Sequence, residues 1–425
     1  MFRSIAVLML AAAAAMPAAQ AGEPDRIPGG DREVVIEWNE LLEGTVPNSA
    51  GVTLPRYYAM MHIAMLDAVN SIEGRYVPYH AKVYPSGAAS PEAAAAQAAR
   101  DVLVALLPAS QATFDAALQT RLAAIDPQHA QYGAQVGRDV AQKILQWRAN
   151  DGWATPQSFT PPALPGVWRP TPPTNAAAAF VQAGDAKPFG LPTPYYYLPR
   201  RPPELDSQEY ADAVNDIMAI GGMNSSVRTA EQTQLARAWA SVNYRQQWSA
   251  IWNNVTRDTA RSQKLDLYET ARLFALLNAT IHDSLQTSQS SKFVYQLWRP
   301  VTAIQKADED MNPGTTADPS WMPLLTTPPY PSYAGNMACI GSGAATLLAQ
   351  FFGTNDIPVT ARWTGINGNS DVAMSYPGFW QLGEAQAVSR EYGGIHFRFD
   401  TTASQEACPK VAKYVYANFA RPKNK

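Results

Sequence analysis

Apolar residues recur at helical spacing over much of the chain. The first clear run begins near Pro55, where Met61, Met65, Ala68 and Val69 repeat at intervals of three and four. Other amphipathic runs, several of them rich in alanine, predict further helices, at residues 91–107, 111–124, 129–150, 206–220, 229–254, 266–289, 338–352 and 402–419. The pattern therefore predicts a mainly α protein.

Two stretches interrupt this helical pattern. Residues 156–203 hold 13 of the 34 prolines, together with several aromatic residues, and so much proline excludes a long helix. The interleaved aromatics favour an ordered, extended segment packed against the helices over a disordered linker. Residues 355–379 look irregular, with strand propensity near 357–364.

The domain organisation predicted from these elements is simple. The chain has no Gly/Ser linker and no internal repeat, and its 46% of hydrophobic residues is enough for a sizeable core. We therefore expect one helical domain over residues 22–425, in which residues 30–205 buttress a helical core formed by residues 206–425.

The first 21 residues have the pattern of a secretory signal. Arg3 precedes an apolar run from Ile5 to Met16, and small residues follow as far as Ala21. We expect cleavage after Ala21 and a secreted or periplasmic protein. No later stretch approaches the roughly 20 consecutive apolar residues that a membrane-spanning helix needs.

Charge and cysteine content narrow the partners and the covalent structure. A net charge of −3 with mixed signs predicts neither a nucleic-acid partner nor electrostatic attraction to a membrane. The two cysteines are Cys339 and Cys408. In an oxidising compartment they are candidates for a disulfide, and two unpaired buried thiols are the alternative that stays open.

A cluster of cations late in the chain carries the first candidate chemistry. Lys292 and Arg299 are seven residues apart, which is two helical turns, so on a helix both side chains would point the same way. Pro300 cannot donate a backbone hydrogen bond, so the helix is expected to be interrupted or restarted there.

A second cluster follows about ninety residues later. Arg390 lies near the end of a helical run that Gly393-Gly394 would terminate, and His396 follows in the turn. Arginine binds two oxygens at once, lysine adds a point charge, and glycine lets backbone N–H groups approach closely. The two clusters together predict an oxyanion cage in which His396 is a nucleophile or a ligand of a metal oxyanion.

The spacing of these residues resembles the superfamily of vanadium-dependent haloperoxidases and type-2 phosphatidic-acid or bacterial acid phosphatases. Its pattern is Lys-(six residues)-Arg-Pro, then Pro-Ser-Gly-His, then Ser-Arg-(five residues)-His. The resemblance assigns Lys292 and Arg299 to the first motif, and Ser389, Arg390 and His396 to the third. It implies a single large helical-bundle domain of the haloperoxidase/acid phosphatase type, with vanadate as the cofactor, His396 as its axial ligand, and the other four residues around the oxyanion.

A separate segment, Met60 to Tyr79, resembles the haloperoxidase branch of this superfamily. Within the segment, His62 and Asp67 are expected to be buried core groups with satisfied hydrogen bonds, because unpaired buried polar groups are costly.

The middle motif departs from the superfamily pattern. Where relatives have Ser-Gly-His, this chain has Ala334-Gly335-Asn336, or Gly335-Asn336-Met337 in an alignment without a gap. Neither reading contains a histidine. The predicted start of a helix here would still aim free N–H groups at an anion, so Gly335 and Asn336 are expected to bind the oxyanion.

A polar pair, His282 and Asp283, precedes Lys292 by ten and nine residues. The pair is a candidate for orienting the cations from behind, as outer partners do in metal sites. An ordinary polar pair near a helix end is the other reading, and both stay open.

For function, the resemblance implies a peroxidase that uses hydrogen peroxide and vanadate to oxidise halide or a small substrate. An acid phosphatase that acts on phosphate esters through a phosphohistidine at His396 is the alternative. A non-catalytic oxyanion-binding relative is the third reading. Asn336 can donate a hydrogen bond but cannot transfer a proton near neutral pH, so we expect reduced activity.

Overall fold

Helices dominate the regular structure of the chain. The computed structural model describes residues 30–46, 51–240, 248–366 and 370–423, so the signal segment predicted at residues 1–21 lies outside the described residues. In the first half, helices α1 to α7 span Glu33–Thr45, Leu54–Glu73, Pro91–Leu106, Gln111–Leu122, Pro127–Arg148, Gln208–Ile220 and Ala230–Ala238. In the second half, helices α8 to α13 span Trp248–Ser262, Leu267–Tyr295, Pro300–Gln305, Asn336–Phe352, Phe379–Tyr392 and Arg398–Asn418. None of the described helices is both long and apolar enough to cross a membrane.

The 29-residue helix α9 is the axis around which the other helices pack. Asp266 and Glu269 cap its first turn reciprocally, and Gln296, with φ of 56°, ends it in the left-handed conformation. Its neighbours include α1, α2, α8, α11 and α13. Because neighbours surround the helix, even the polar residues of its second half are buried, and their hydrogen bonds must be met inside the protein.

Two hydrophobic clusters organise the packing. The larger cluster joins both halves of the chain, since Trp38 of α1, Met65 of α2, Phe274 of α9, Leu347 of α11 and Val411 of α13 all belong to it. The smaller cluster contains a group of buried aromatic residues, among them Tyr210, Trp298, Tyr333, Phe397 and Phe399.

The proline-rich segment is ordered and packed, as predicted. It contains no α-helix, and Val181–Gly184 forms a single 3₁₀ turn. Asp283 of α9 accepts backbone N–H groups from Phe189, Gly190 and Leu191 at 2.7–2.9 Å. The buried helix thus uses a carboxylate to hold the segment in place.

Several element boundaries differ from the sequence prediction. The helix expected at 229–254 is interrupted, because α7 ends at Ala238 and residues 239–240 form a turn, while residues 241–247 lie outside the described residues. Residues 355–379 are not irregular throughout, since Val359–Ile366 and Ser370–Tyr376 form an antiparallel hairpin, β1 and β2. Helix α1 was not predicted. The remaining predicted helices are confirmed to within a few residues at each end, except that α9 runs on through Lys292.

The polar groups of α2 are buried in the core as predicted, although His62 Nδ1 has no hydrogen-bond partner among the described residues. His62 is fully buried, and its Nε2 lies 2.8 Å from Asn39 Nδ2. Burial lowers its pKa to about 3, so the ring is neutral. Asp67 accepts the backbone N–H groups of residues 79, 80 and 81 at 2.7–2.8 Å. Burial nevertheless raises its pKa to about 7.

Cys339 and Cys408 form a disulfide, so the pairing proposed from the sequence is confirmed. Their Cα atoms are 5.2 Å apart and 69 residues separate them in sequence. The bond joins the first turn of α11 to the middle of α13. Both helices begin at the candidate site.

We predict that Asp67→Ala lowers the free energy of unfolding by about 3 kcal/mol or more, because three buried N–H groups lose their acceptor and each costs roughly 1–3 kcal/mol. Urea unfolding followed by circular dichroism measures the change. The control is Asp212→Ala, which removes an exposed carboxylate. Among the described residues, this carboxylate accepts a hydrogen bond from the Gln208 side chain alone. Equal effects of the two substitutions would contradict the capping role of Asp67.

Candidate functional site

Lys292 lies in the last turn of α9 and is fully buried. Its Nζ donates to the backbone carbonyls of Ser332 at 2.7 Å and Ala334 at 2.5 Å. Burial, and then the neighbouring Arg299, lower the pKa of Lys292 far below its usual value. An anion bound beside it would favour the charged form again.

Arg299 does not share a helix with Lys292, contrary to the sequence prediction. The left-handed residue Gln296 ends α9, and Arg299 is the N-cap of α10, which restarts at Pro300. Proline fits this first position because its missing N–H would have no partner there in any case. The two cations therefore meet through a sharp turn rather than along one helical face.

The Arg299 guanidinium reaches two other site segments. Its Nε donates to the Tyr330 carbonyl and its Nη1 to the Ile395 carbonyl, each at 2.8 Å. The same Nη1 lies 3.2 Å from Nε2 of His396. Nη2 is buried and has no hydrogen-bond partner among the described residues. Burial lowers the pKa of Arg299 to about 10, so it stays charged at neutral pH.

Arg390 and Ser389 occupy the last turn of α12. Arg390 donates from Nη2 to the Ala236 carbonyl at 2.9 Å and from Nε to Ser389 Oγ at 3.1 Å. Ser389 in turn donates to the Gln386 carbonyl at 2.5 Å. Ser389 thus positions Arg390, whose pKa burial lowers to about 10.

A glycine turn brings His396 back to the cations. Gly394 has φ of +75°, and a Cβ there would lie 2.2 Å from the Gly221 carbonyl oxygen. Both the conformation and the close approach of the two backbones require glycine at this position. The turn delivers His396 to the start of α13, where its side chain is buried.

The hydrogen bonds of His396 define its tautomer. Nδ1 lies 2.7 Å from Oδ2 of Asp400, an acceptor when ionised. Nε2 faces Arg299, whose guanidinium can only donate. The proton therefore sits on Nδ1, and Nε2 keeps its lone pair. Burial and then the cations, Arg299 first, lower the pKa of His396 well below its usual value, which keeps the ring neutral.

Asp400 and Ser332 belong to the site although sequence reasoning left them out. Asp400 is fully buried, and its Oδ2 also accepts from Ser332 Oγ at 2.5 Å and from the Phe397 N–H at 3.2 Å. Burial raises its pKa to about 6. Its position one helical turn after His396 was the available signal, because an i,i+4 pair shares a helix face.

The middle segment is only partly as predicted. The N–H of Gly335 donates to the Asp400 carbonyl at 3.2 Å, so it is not directed at an anion as expected. Asn336 is buried and begins α11. Its Oδ1 accepts from Ser288 Oγ at 2.8 Å, and its Nδ2 donates to Gln289 at 3.2 Å.

The alternative position for the missing histidine, Met337, packs differently from Asn336. The Met337 sulfur accepts from Gln386 Nε2 at 3.6 Å. Asn336 instead interacts with the Tyr330 hydroxyl, whose ring lies against the cations. Asn336 is therefore the member of this pair that adjoins the cage.

His282 and Asp283 are not brought to the cage. Asp283 is occupied by the backbone of residues 189–191, and His282 contacts it at 3.3 Å while its ring lies against Trp153 and Phe189. Ten residues of helix place His282 about 15 Å along the axis from Lys292. The pair supports the proline-rich segment, which corrects the orienting role predicted for it.

Comparison with known proteins agrees with this geometry. The family model described as the VCPO second helical-bundle domain matches residues 272–425, which include every cage residue. Vanadium chloroperoxidase of Curvularia inaequalis is 24% identical over an alignment that covers 50% of this chain and 44% of that protein. The aligned part is thus less than half of that relative's length.

Solved structures extend the similarity to most of the chain. The structure of a bacterial vanadium-dependent iodoperoxidase has a TM-score of 0.78 and 22% identity, covering 92% of this chain and 97% of its own. A holo-type bacterial vanadium-dependent chloroperoxidase has a TM-score of 0.71 and 14% identity, covering 93% and 96%. The resemblance to the haloperoxidase branch is confirmed. At these identities the structural likeness establishes the haloperoxidase fold.

The charge balance of this haloperoxidase-like cage indicates what it can hold. Lys292, Arg299 and Arg390 surround His396, and Asp400 is the carboxylate that acts on both His396 and the first two cations. With Lys292 in its charged form, three cationic side chains against one carboxylate leave a buried excess of positive charge. Burying uncompensated charge is costly, so the arrangement favours an anion with several oxygens.

We predict that His396 is a neutral ring protonated on Nδ1 at pH 7. Nitrogen-15 NMR of histidine-labelled protein detects this tautomer, and His396→Gln identifies the signal by its loss. In Asp400→Asn the ring should stay neutral and keep its proton on Nδ1, because Arg299 still donates toward Nε2 and the amide can present its oxygen to Nδ1. A protonated ring, or a native ring with its proton on Nε2, would contradict the geometry.

Proposed function

We propose that the protein is a vanadate-dependent peroxidase of the haloperoxidase type, which uses hydrogen peroxide to oxidise halide or a small substrate. The observation that carries the proposal is the neutral His396, whose unprotonated Nε2 faces a buried group of cations. The similar proteins, an iodoperoxidase and two chloroperoxidases, support the same reaction class.

The residues present fit vanadate. His396 offers a nitrogen lone pair, and Arg299 Nη2 is a buried donor without a partner, the kind of atom that an oxyanion would satisfy. Lys292 has a third proton beyond the two that it gives to carbonyls. His396 would bind the metal through Nε2, and Lys292, Arg299 and Arg390 would hold the oxygens of the ion. When bound, vanadate supplies Lewis-acid activation of peroxide for two-electron oxidation.

The chain's own residues prepare the site for this chemistry. Asp400 keeps the proton on Nδ1 of His396 and so leaves Nε2 as the ligand atom. The buried cations stabilise negative charge in an environment where water screens it weakly. Ser332 fixes Asp400, and Ser389 fixes Arg390. Little reorganisation is then needed when the oxyanion binds.

The alternative, an acid phosphatase, needs a group that protonates the leaving oxygen of the ester. In the superfamily pattern that group is the histidine of the middle motif. Here Asn336 lies at the cage and no proton-donating histidine replaces it among the described residues that contact it. A general acid typically contributes about 10²–10⁴-fold to a rate. The absence of this histidine weighs more against ester hydrolysis than against peroxide chemistry. It also predicts slow turnover of a peroxidase.

We further propose that the protein is exported. The support is the signal-like sequence of residues 1–21 together with the Cys339–Cys408 disulfide, since disulfides persist in oxidising compartments. Mass spectrometry of the protein recovered from periplasmic and culture fractions tests this, and the proposal expects an N-terminus at Gly22.

We predict that purified, phosphate-free protein binds orthovanadate and that His396→Ala abolishes tight binding. Arg299→Ala should weaken binding by about tenfold or more, because a charge-assisted contact is typically worth roughly 1.5–3 kcal/mol. Isothermal calorimetry measures both changes. The control is His129→Ala, an exposed histidine at the start of α5.

Activity assays on the same samples separate the three readings. The proposal expects vanadate-dependent oxidation of bromide or iodide by peroxide, lost in His396→Ala and kept in His129→Ala. Hydrolysis of p-nitrophenyl phosphate without halide oxidation would replace the peroxidase by the phosphatase. Tight vanadate binding with neither activity would identify a non-catalytic oxyanion-binding protein.

A further inference from the structure

Tyr330 lies against the cations of the cage, although no part of the recognised motifs includes it. Its ring centroid is 5.0 Å from the Arg299 guanidinium carbon and 5.4 Å from Lys292 Nζ. Its hydroxyl interacts with the side chains of Asn336 and Arg299, and the charge of Arg390 acts on it as well. Tyr330 therefore lies beside Lys292 and Arg299, within reach of the charge of Arg390.

The backbone fixes this position firmly. The Tyr330 carbonyl accepts from Arg299 Nε at 2.8 Å, and the following Pro331 restricts the chain. Two residues later, Ser332 donates its backbone N–H to the Leu297 carbonyl at 2.9 Å and its hydroxyl to Asp400. The loop that holds the Tyr330 phenol thus also carries Ser332, which supports His396 through Asp400.

Tyr330 also has the protonation state that a proton donor needs. Burial raises its pKa above the ordinary value, which keeps the hydroxyl protonated across the neutral range. Tyr330 as a residue keeps some exposure to solvent, whereas Lys292 and Arg299 are fully buried. A proton lost from the phenol is therefore replaced more readily at Tyr330 than deeper in the cage.

We propose that the Tyr330 hydroxyl is a catalytic group of the oxyanion site, which hydrogen-bonds the bound oxyanion and supplies the proton for cleavage of peroxide. The inference rests on the proposed peroxidase function. It gives the proton-transfer role to a phenol on the loop before α11, because Asn336 at the start of that helix cannot perform it.

The proton balance of the step is simple. Halide loses two electrons to one peroxide oxygen and forms the hypohalous acid as the O–O bond breaks. The other oxygen leaves as hydroxide and becomes water when it accepts the Tyr330 proton. The phenolate, stabilised by the adjacent arginines, regains a proton from solvent. No further oxidant or reductant is required.

The test compares Tyr330→Phe with Tyr295→Phe in the full-length protein. Tyr295 lies at the end of α9, but its hydroxyl donates to the Pro199 carbonyl at 2.7 Å, outside the cage. Calorimetry with orthovanadate and with inorganic phosphate should show about tenfold weaker binding in Tyr330→Phe and unchanged binding in Tyr295→Phe. The native protein should also show a tyrosine ultraviolet difference spectrum on phosphate binding that Tyr330→Phe lacks.

Turnover gives the second readout. At saturating vanadate, kcat for bromide oxidation should fall about 10²-fold in Tyr330→Phe, in the range of a lost general acid. Tyr330→His should recover part of the rate and add a pH limb near the usual histidine range. Such rescue separates proton transfer from a merely structural role.

The outcomes distinguish the inference from the function on which it rests. Native peroxidase activity with equal binding, spectrum and kcat in Tyr330→Phe overturns the role of Tyr330 and leaves the proposed function standing. If the native protein oxidises no halide but its oxyanion binding still depends on Tyr330, the hydrogen bond from Tyr330 to the oxyanion stands. The proposed peroxidase function is then overturned. A native protein that binds neither oxyanion overturns both.

Discussion

Desolvation of three cations is the constraint that the rest of this structure accommodates. Lys292, Arg299 and Arg390 are buried, and placing charge in a low-dielectric interior is costly unless each donor finds an acceptor. The acceptors are mainly backbone carbonyls of neighbouring segments. Lys292 and Arg299 therefore fix the loops that carry other parts of the site, and Arg390 ties the site to helix α7.

This reciprocity explains why the site is held so firmly. Lys292 binds the carbonyls of Ser332 and Ala334, and Ser332 in turn holds Asp400. Arg299 binds the Ile395 carbonyl and so positions the histidine that follows it. Within this network Arg299 Nη2 is a buried donor without a partner among the described residues, the kind of atom that the proposed oxyanion would satisfy.

The scaffold around the cage serves the same purpose. The second half of helix α9 is polar yet buried. Polar groups such as Asp283 can be buried there because they form hydrogen bonds with the backbone of the proline-rich segment. The disulfide between Cys339 and Cys408 ties α11 to α13 near the point where both helices meet the site. Covalent and polar contacts thus restrict movement of the segments that carry Asn336 and His396.

Much of the fold and the core of the site could be predicted from the sequence, and the rest has identifiable reasons. Helical periodicity located most helices, and the order and spacing of Lys292, Arg299, Arg390 and His396 anticipated their convergence. Residue spacing alone could not show that α9 ends at Gln296. The helix ends there because Gln296 adopts a left-handed backbone conformation, which the pattern of residue types does not reveal.

Hydrogen-bond partners that are distant in the sequence could not be predicted either. The Gly335 N–H was expected to face an anion, but a carbonyl from the start of α13 takes it. Asp283 was expected to support the cations, and it instead caps a loop more than ninety residues away in sequence. Asp400 and Tyr330 lie outside the superfamily motifs. The i,i+4 spacing from His396 pointed to Asp400, whereas Tyr330 reaches the site only through the packing of its loop against Arg299.

The central claim is that His396 and the three cations form one oxyanion site of the haloperoxidase type. A crystal structure of the protein grown with orthovanadate tests it most directly. The account predicts vanadium density bonded to His396 Nε2, with Arg299 Nη2 turned to an oxygen of the bound ion and Asp400 still on Nδ1. Vanadium bound only elsewhere, with His396 Nε2 still facing Arg299, would contradict it.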